Sequence, residues 1–148
     1  MADLFALDTN VYIHALREPS ALARLKRFML RVGTRLRVNA VVALELRTGA
    51  RTSAQERAVE ALLSPYARRE RVVVPGFGAF VQAGRVIASL ATHEAMTAAA
   101  GSFTNDALLA ASCREAGVVL ITQNHRDFSA IQRHLRGFRF SDPGTTLT

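Results

Sequence analysis

Apolar positions fall along this chain in two rhythms. Short unbroken runs occur at "LFALD" (4–8), "RLRVNA" (35–40), "RVVVP" (71–75) and "GVVLIT" (117–122), with a weaker one at "GFRFS" (137–141). Runs of this length bounded by polar or turn residues predict buried strands. Between them the apolar residues recur at helical spacing. "PSALARLKRFMLRVG" puts Leu22, Leu25, Phe28 or Met29, and Val32 on one face and stops at Gly33. "AVVALELRTGA" and "SAQERAVEALLSPY" follow, the second with Ser53 and Glu56 in capping-box register. "GFGAFVQAGRVIASLATHEAM" is a longer helical stretch, and "SFTNDALLAASCREAG" ends on Gly117, where a glycine stop belongs. Strands alternating with helices predict an α/β domain with a mostly parallel sheet and helices on both faces. In such sheets the functional crevice lies beyond the carboxyl ends of the strands.

The first strand ends on Asp8, and that raises the chemical question. A carboxylate at the end of a buried run is costly without partners, so it needs either a hydrogen-bonding task or a cation. Three further acids stand out, so that three of the four lie in apolar surroundings: Glu45 in apolar "VVALELRTGA", Asp106 opening the helix "NDALLAAS", and Asp127 just after the strand end in "VVLITQNHRDF", three residues after Asn124. Each has an ordinary reading. Asp8 could cap a helix beginning near Asn10. Glu45 could pair with Arg47 or Arg51. Asp106 could be a first-turn acid complementing the helix dipole, and Asp127 an N-cap or a solvated loop residue. Converging, the four would repel one another until a cation neutralised them, and hard divalent ions with oxygen ligands meet that need. Such ions serve phosphodiester cleavage.

Composition sets limits around that pocket. At 148 residues, 49% of them hydrophobic, the chain makes one domain with a genuine core. No apolar run approaches the roughly 20 residues that cross a bilayer, and "MADLFALD" has no basic segment before its apolar stretch, so it does not read as a secretory signal. The single cysteine, Cys113, excludes an intramolecular disulfide and a cysteine-rich zinc site, which makes a reduced cytoplasm the economical location. The net charge is +7, nearly all of the basic residues are arginine, and Arg24, Lys26, Arg27, Arg31, Arg35 and Arg37 follow one another without an intervening acid. Arginine forks match phosphate oxygens, so nucleic acid is a natural partner; a solvated helix face is the plain alternative.

"LDTNVYI", the glutamate of "VVALELRTGA", "NDALLAAS" and "LITQNHRDF", in that order, resemble the PIN-domain ribonucleases, and within them the VapC-type toxins of bacterial toxin–antitoxin pairs. The likeness runs from about Leu4 to Phe140, within a single domain spanning 1–148. It implies a three-layer α/β/α fold and an endoribonuclease dependent on Mg²⁺ or Mn²⁺. It implies Asp8 and Asp106 as the main metal-binding aspartates, and Glu45 as a second acid orienting a water at the metal or serving a second ion. The fourth polar position falls in "TQNHRDF", divided between Asn124 and Asp127, with Asp127 a further metal ligand. Thr9 and Thr122 are implied as supporting hydroxyls. Arg24, Arg27 and Arg31 are candidate RNA contacts. The resemblance further implies a VapB-type antitoxin covering the acidic groove, and a homodimer; apolar side chains between Ala21 and Ala67 are candidates for both surfaces, or simply for core.

Other readings fit less well. A haloacid-dehalogenase phosphatase would carry an aspartate where Asn10 stands, and a receiver domain needs a late lysine, whereas Lys26 is the only lysine. "HRD" at 125–127 echoes a kinase loop, but the chain is too short and lacks the glycine-rich loop. "GFGAF" lacks the third glycine of a dinucleotide site, and the four histidines, without HExxH spacing, read as lone surface residues. A housekeeping PIN nuclease, or a silent PIN domain that only binds RNA or protein, remain as alternatives within the same fold.

Overall fold

The computed structural model describes residues 2–93 and 101–148. Five strands form one sheet: β1 (Leu4–Leu7), β2 (Leu36–Asn39), β3 (Val72–Val73), β4 (Val118–Ile121) and β5 (Phe140–Ser141). Their order is β3-β2-β1-β4-β5 and every pairing is parallel. The central pair is in register from Leu4 opposite Val118 to Leu7 opposite Ile121. β4 is buried at every position, which explains its unbroken apolar run. The edge strands are shorter than their apolar runs. In "RVVVP" only Val72 and Val73 pair, since Val74 turns out to solvent and Pro75 has no N–H to donate.

Among the described residues, eight α-helices connect and cover the strands: α1 (Thr9–Arg17), α2 (Pro19–Val32), α3 (Ala40–Gly49), α4 (Ser53–Arg68), α5 (Phe77–His93), α6 (Gly101–Glu115), α7 (His125–Arg133) and the short α8 (Pro143–Thr146). α1 packs on α2 and α3 on α4, while α5, α6 and α7 pack on one another, giving the three-layer α/β/α arrangement. α2 buries Leu25, Phe28 and Val32 as its spacing predicts, with Ala21 buried as well and Leu22 only half-buried, and ends at Gly33 with φ 53°. Gly117, with φ 67°, ends the α6 segment in the left-handed region where a side chain would be strained. α6 reaches the sheet because its inner face is small: Ala107, Ala110, Ala111 and Ser112 are all buried.

Several local expectations shift by a residue or more. The capping box is Thr52 with Gln55, one residue ahead of the Ser53–Glu56 pair. α1 starts at Thr9, beside the expected Asn10 and with Asp8 as its cap, and α4 runs through Pro65 to Arg68. The last residues of the expected helix 76–96 lie outside the described residues. α6 already runs from Gly101, so Asp106 stands inside the helix instead of opening it.

The chain order steps from β1 outward to β2 and β3, then returns past β1 to β4 and β5. The strand order therefore reverses between β1 and β4. Connections diverge at such a point and leave a crevice above the carboxyl ends. Asp8 stands at the rim of that crevice, its backbone N–H bonded to the Ile121 carbonyl at 2.9 Å.

Candidate active site

Asp8 is 4% exposed and fully engaged. Its Oδ1 accepts from the Thr9 backbone N–H at 2.7 Å, while its Oδ2 accepts from the Thr122 hydroxyl at 2.7 Å and from Asn10 Nδ2 at 3.2 Å. It caps α1, as its plain reading expects, while its charge also acts on Glu45 and Asp106. Burial pushes its carboxyl up from the ordinary range, and these hydrogen bonds partly offset the rise.

Glu45 reaches the same place from α3. Its Oε1 accepts from the Thr9 hydroxyl at 2.8 Å, and the Asn105 side chain also donates to it. Its contacts are thus Thr9 and Asn105 rather than Arg47 or Arg51. Desolvation raises its pKa first; the Thr9 bond opposes that, and the Asp8 charge adds to it. The helix that carries Glu45 is itself anchored: Asn39, fully buried at the end of β2, accepts from the Val41 N–H at 2.9 Å and donates to the Ser112 hydroxyl at 2.8 Å.

Asp106 and Asp127 close the cluster from α6 and α7. Burial, then the charges of Asp8, Glu45 and Asp127, push the Asp106 carboxyl up to about 8. Asn124 sits between them as the N-cap of α7: its Nδ2 lies 3.4 Å from an Asp106 oxygen and 3.1 Å from an Asp127 oxygen. Its own N–H donates to the Thr122 hydroxyl at 3.0 Å, linking it back to Asp8. Asp127 is the third residue of α7, where its own N–H faces Asn124 Oδ1 at 3.4 Å.

All four acids and both threonines come together, supplied by the ends of β1 and β4 and by α3, α6 and α7. Two amides joined them unannounced. Asn10 donates to Asp8 and to Thr122 and accepts from the Gln123 N–H at 3.2 Å; Asn105 supports Glu45. The sequence signal for each is adjacency to a site aspartate, in "DTN" and "ND". The donor set is wholly oxygen, as hard divalent ions prefer. Among the described residues no three acidic, histidine or cysteine side chains are grouped closely enough to ligate one ion together.

The candidate RNA contacts separate. Arg31 donates to the Thr146 and Thr148 carbonyls at 2.9 and 3.1 Å, fastening the carboxyl-terminal turn. Arg24 and Arg27 are exposed on α2 without a hydrogen-bond or ion-pair partner among the described residues. Between Ala21 and Ala67, Leu25, Phe28, Val32 and Leu36 are core, whereas Leu30 and Leu44 are exposed. Further exposed apolar side chains lie beyond that range, at Val74, Phe77 and Phe80. Of the histidines, His125 is paired with Asp142 and His93 lies beside His134, so neither is a lone surface residue.

A parallel sheet with an acidic cluster at its reversal point defines a class of α/β domain with a polar site at the carboxyl edge. Residues 5–133 match the PIN domain family model, and the chain belongs to that family. Its fold is similar to a chain of the DNA-bound VapBC complex from Salmonella typhimurium (TM-score 0.71, 23% identity, covering 95% of this chain and 98% of that one). It is similar as well to a chain of FitAcB from Neisseria gonorrhoeae (0.70, 19%, covering 95% and 99%). A third likeness is to a chain of VapBC-1 from nontypeable Haemophilus influenzae (0.65, 25%, covering 94% and 97%). Among curated protein sequences none matches significantly. No helix among the described residues is long and apolar enough to cross a membrane.

Proposed function

We propose that this chain is a metal-dependent endoribonuclease that hydrolyses RNA phosphodiester bonds and serves as the toxin of a VapBC-type toxin–antitoxin pair. The observation that carries the reading is the convergence of Asp8, Glu45, Asp106 and Asp127 from separate elements: burial first, and then the charges of the other three, lift Asp106 to about 8. A fold that needed these acids only for capping would not crowd them. The oxygen-only donors fit Mg²⁺ or Mn²⁺, with Asp8 and Asp106 as the direct carboxylates and water filling the remaining positions. A bound ion supplies the positive charge that phosphodiester hydrolysis requires at the reacting phosphate.

The protein's own groups have distinct tasks. Thr122 and Asn10 fix the Asp8 carboxylate, Thr9 and Asn105 fix Glu45, and Asn124 holds Asp106 and Asp127 at their spacing. Glu45, half-buried and raised in pKa, would orient the attacking water and accept its proton, a role its position beside Asp8 supports. The +7 charge draws RNA to the surface around these acids. The toxin role rests on the likeness to chains of VapBC and FitAB complexes over nearly their full length, which implies a VapB-type antitoxin over the groove. The test is RNA cleavage by purified, antitoxin-free protein with Mg²⁺ or Mn²⁺ and with EDTA. Cleavage that needs the ion supports the reading, and intact RNA under every ion removes it.

A further inference from the structure

Beside the acid cluster lies a second cavity, of ≈280 Å³, between α1, α2 and the carboxyl-terminal turn. Its floor is apolar, with Leu25 and Leu147, and its polar lining includes His14, Arg24 and Gln123. Drug-sized ligands occupy about 300–1,000 Å³, so this space suits one nucleotide unit rather than a folded RNA element. It adjoins the acids: the Gln123 N–H donates to Asn10 Oδ1 at 3.2 Å, and the same Asn10 donates to Asp8 at 3.2 Å.

The polar groups at this cavity differ in what they have left to offer. Asp142, its one acid, already accepts from Gly144 N–H at 2.6 Å through Oδ1 and pairs with His125 Nε2 at 2.5 Å through Oδ2. The Arg24 guanidinium, the His14 ring and the Gln123 amide have no partner among the described residues. Arg24 is the one arginine that lines this cavity; on the same helix Arg31 is committed to the last carbonyls, and Arg27, though as unengaged as Arg24, does not line it. The unengaged groups are donors over an apolar floor, which is the chemistry of a phosphate joined to a base.

We propose that this cavity holds one nucleotide of the RNA chain flanking the scissile bond, with Arg24 on its phosphate and Gln123 on its base edge. Resting on the ribonuclease reading, it deepens that reading by adding a place where sequence is read. A phosphate contact contributes to all sequences alike, whereas a side-chain amide at a base edge discriminates among bases. Arg31, seven residues along the same helix, has no part in it because its donors hold the carboxyl terminus.

The test measures binding apart from cleavage. A fluorescein-labelled single-stranded RNA of mixed sequence is titrated with the full chain in Ca²⁺, its integrity checked on a gel, across a range of salt. Each phosphate contact on single-stranded nucleic acid contributes a slope of about −0.7 in log K against log salt. Arg24→Gln should flatten the slope by about that much, while Arg31→Gln should leave it unchanged. Gln123→Ala should retain the slope and lose preference for one base at a single position. An unchanged slope for Arg24→Gln, an equal loss for Arg31→Gln, or no RNA binding by the parent protein overturns the proposal. Failure of the parent to cut RNA in Mg²⁺ or Mn²⁺ would instead overturn the nuclease reading, leaving the slope comparison to decide this one.

Discussion

A carboxylate that caps a helix and one that holds a metal ask different things of a substitution, and Asp8 does the first while we propose that it does the second. Asp8→Asn keeps an oxygen for the Thr9 N–H at 2.7 Å but removes the charge. We expect folded protein by circular dichroism and cleavage slowed by at least about a hundredfold, or roughly 3 kcal/mol of transition-state stabilisation. Near-parental cleavage by that variant would exclude Asp8 from the metal site. Asn124 and Asp127 divide in a similar way. Asn124→Ala removes the N-cap of α7 and the bridge between two acids, so it should cost about 1 kcal/mol of stability and lower turnover. Asp127→Asn retains hydrogen bonding but lowers the site's charge, so it should raise the metal concentration for half-maximal cleavage. An unchanged midpoint in a metal titration would leave Asp127 only its place in the first turn of α7. The acids were legible in the sequence because a carboxylate in apolar company demands an explanation. Asn10 and Asn105 were not, because a neutral amide carries no such demand until its partner is placed.

Among the elements, α3 shows how far position depends on one buried polar residue. Asn39 ends β2, caps α3 and ties both to α6 through Ser112, all without contact with solvent. Asn39→Ala removes the cap on the Val41 N–H and the bond Asn39 donates to the Ser112 hydroxyl, which keeps its own bond to the Leu109 carbonyl, an expected loss of about 2 kcal/mol. Urea unfolding would read it as a lower midpoint at constant slope; a change within about 0.5 kcal/mol would show that water or a shifted Ser112 takes over the role. Which elements the sequence disclosed follows the same physics. β4 is buried at every position and β1 at Ala6 and Leu7, with Leu4 and Phe5 half-buried, so their apolar runs are continuous. β3 and β5 pair through two residues each, too few to bound from composition. The Thr52–Gln55 and Ser53–Glu56 pairs have the same spacing and chemistry, so pattern alone cannot choose between them. Asp106 looked like a helix opening because Ser102, Thr104 and Asn105 are cap-forming types, yet Asn105 serves Glu45 and the helix begins earlier.

At the scale of the whole molecule, a basic body encloses an acidic crevice, and folding must bury those carboxylates and then hold them against their mutual repulsion. Asp106 reports the cost. Its carboxyl titrates near the ordinary 3.8 in the unfolded chain and at about 8 in the folded one. Below pH 3.8 both states hold the proton and the site is neutral with respect to stability. Between those values the folded state retains a proton that the unfolded state has released, so rising pH favours unfolding, with the loss complete above pH 8. Metal-free protein should therefore melt progressively lower from pH 5 to pH 8. A divalent ion reverses the balance, because it binds the ionised folded site and competes with the proton there. Mn²⁺ or Mg²⁺ should raise the melting temperature little at pH 5 and by several degrees at pH 8. Asp106→Asn removes the titrating group: in EDTA it should melt above the parent at pH 8 with a flatter pH profile, and it should lose most of the response to metal. The measurement is a set of thermal melts of parent and variant across pH, with EDTA and with each ion. A parent whose metal response is the same at pH 5 and pH 8, or a variant that keeps the full response, would show that the ion binds away from Asp106.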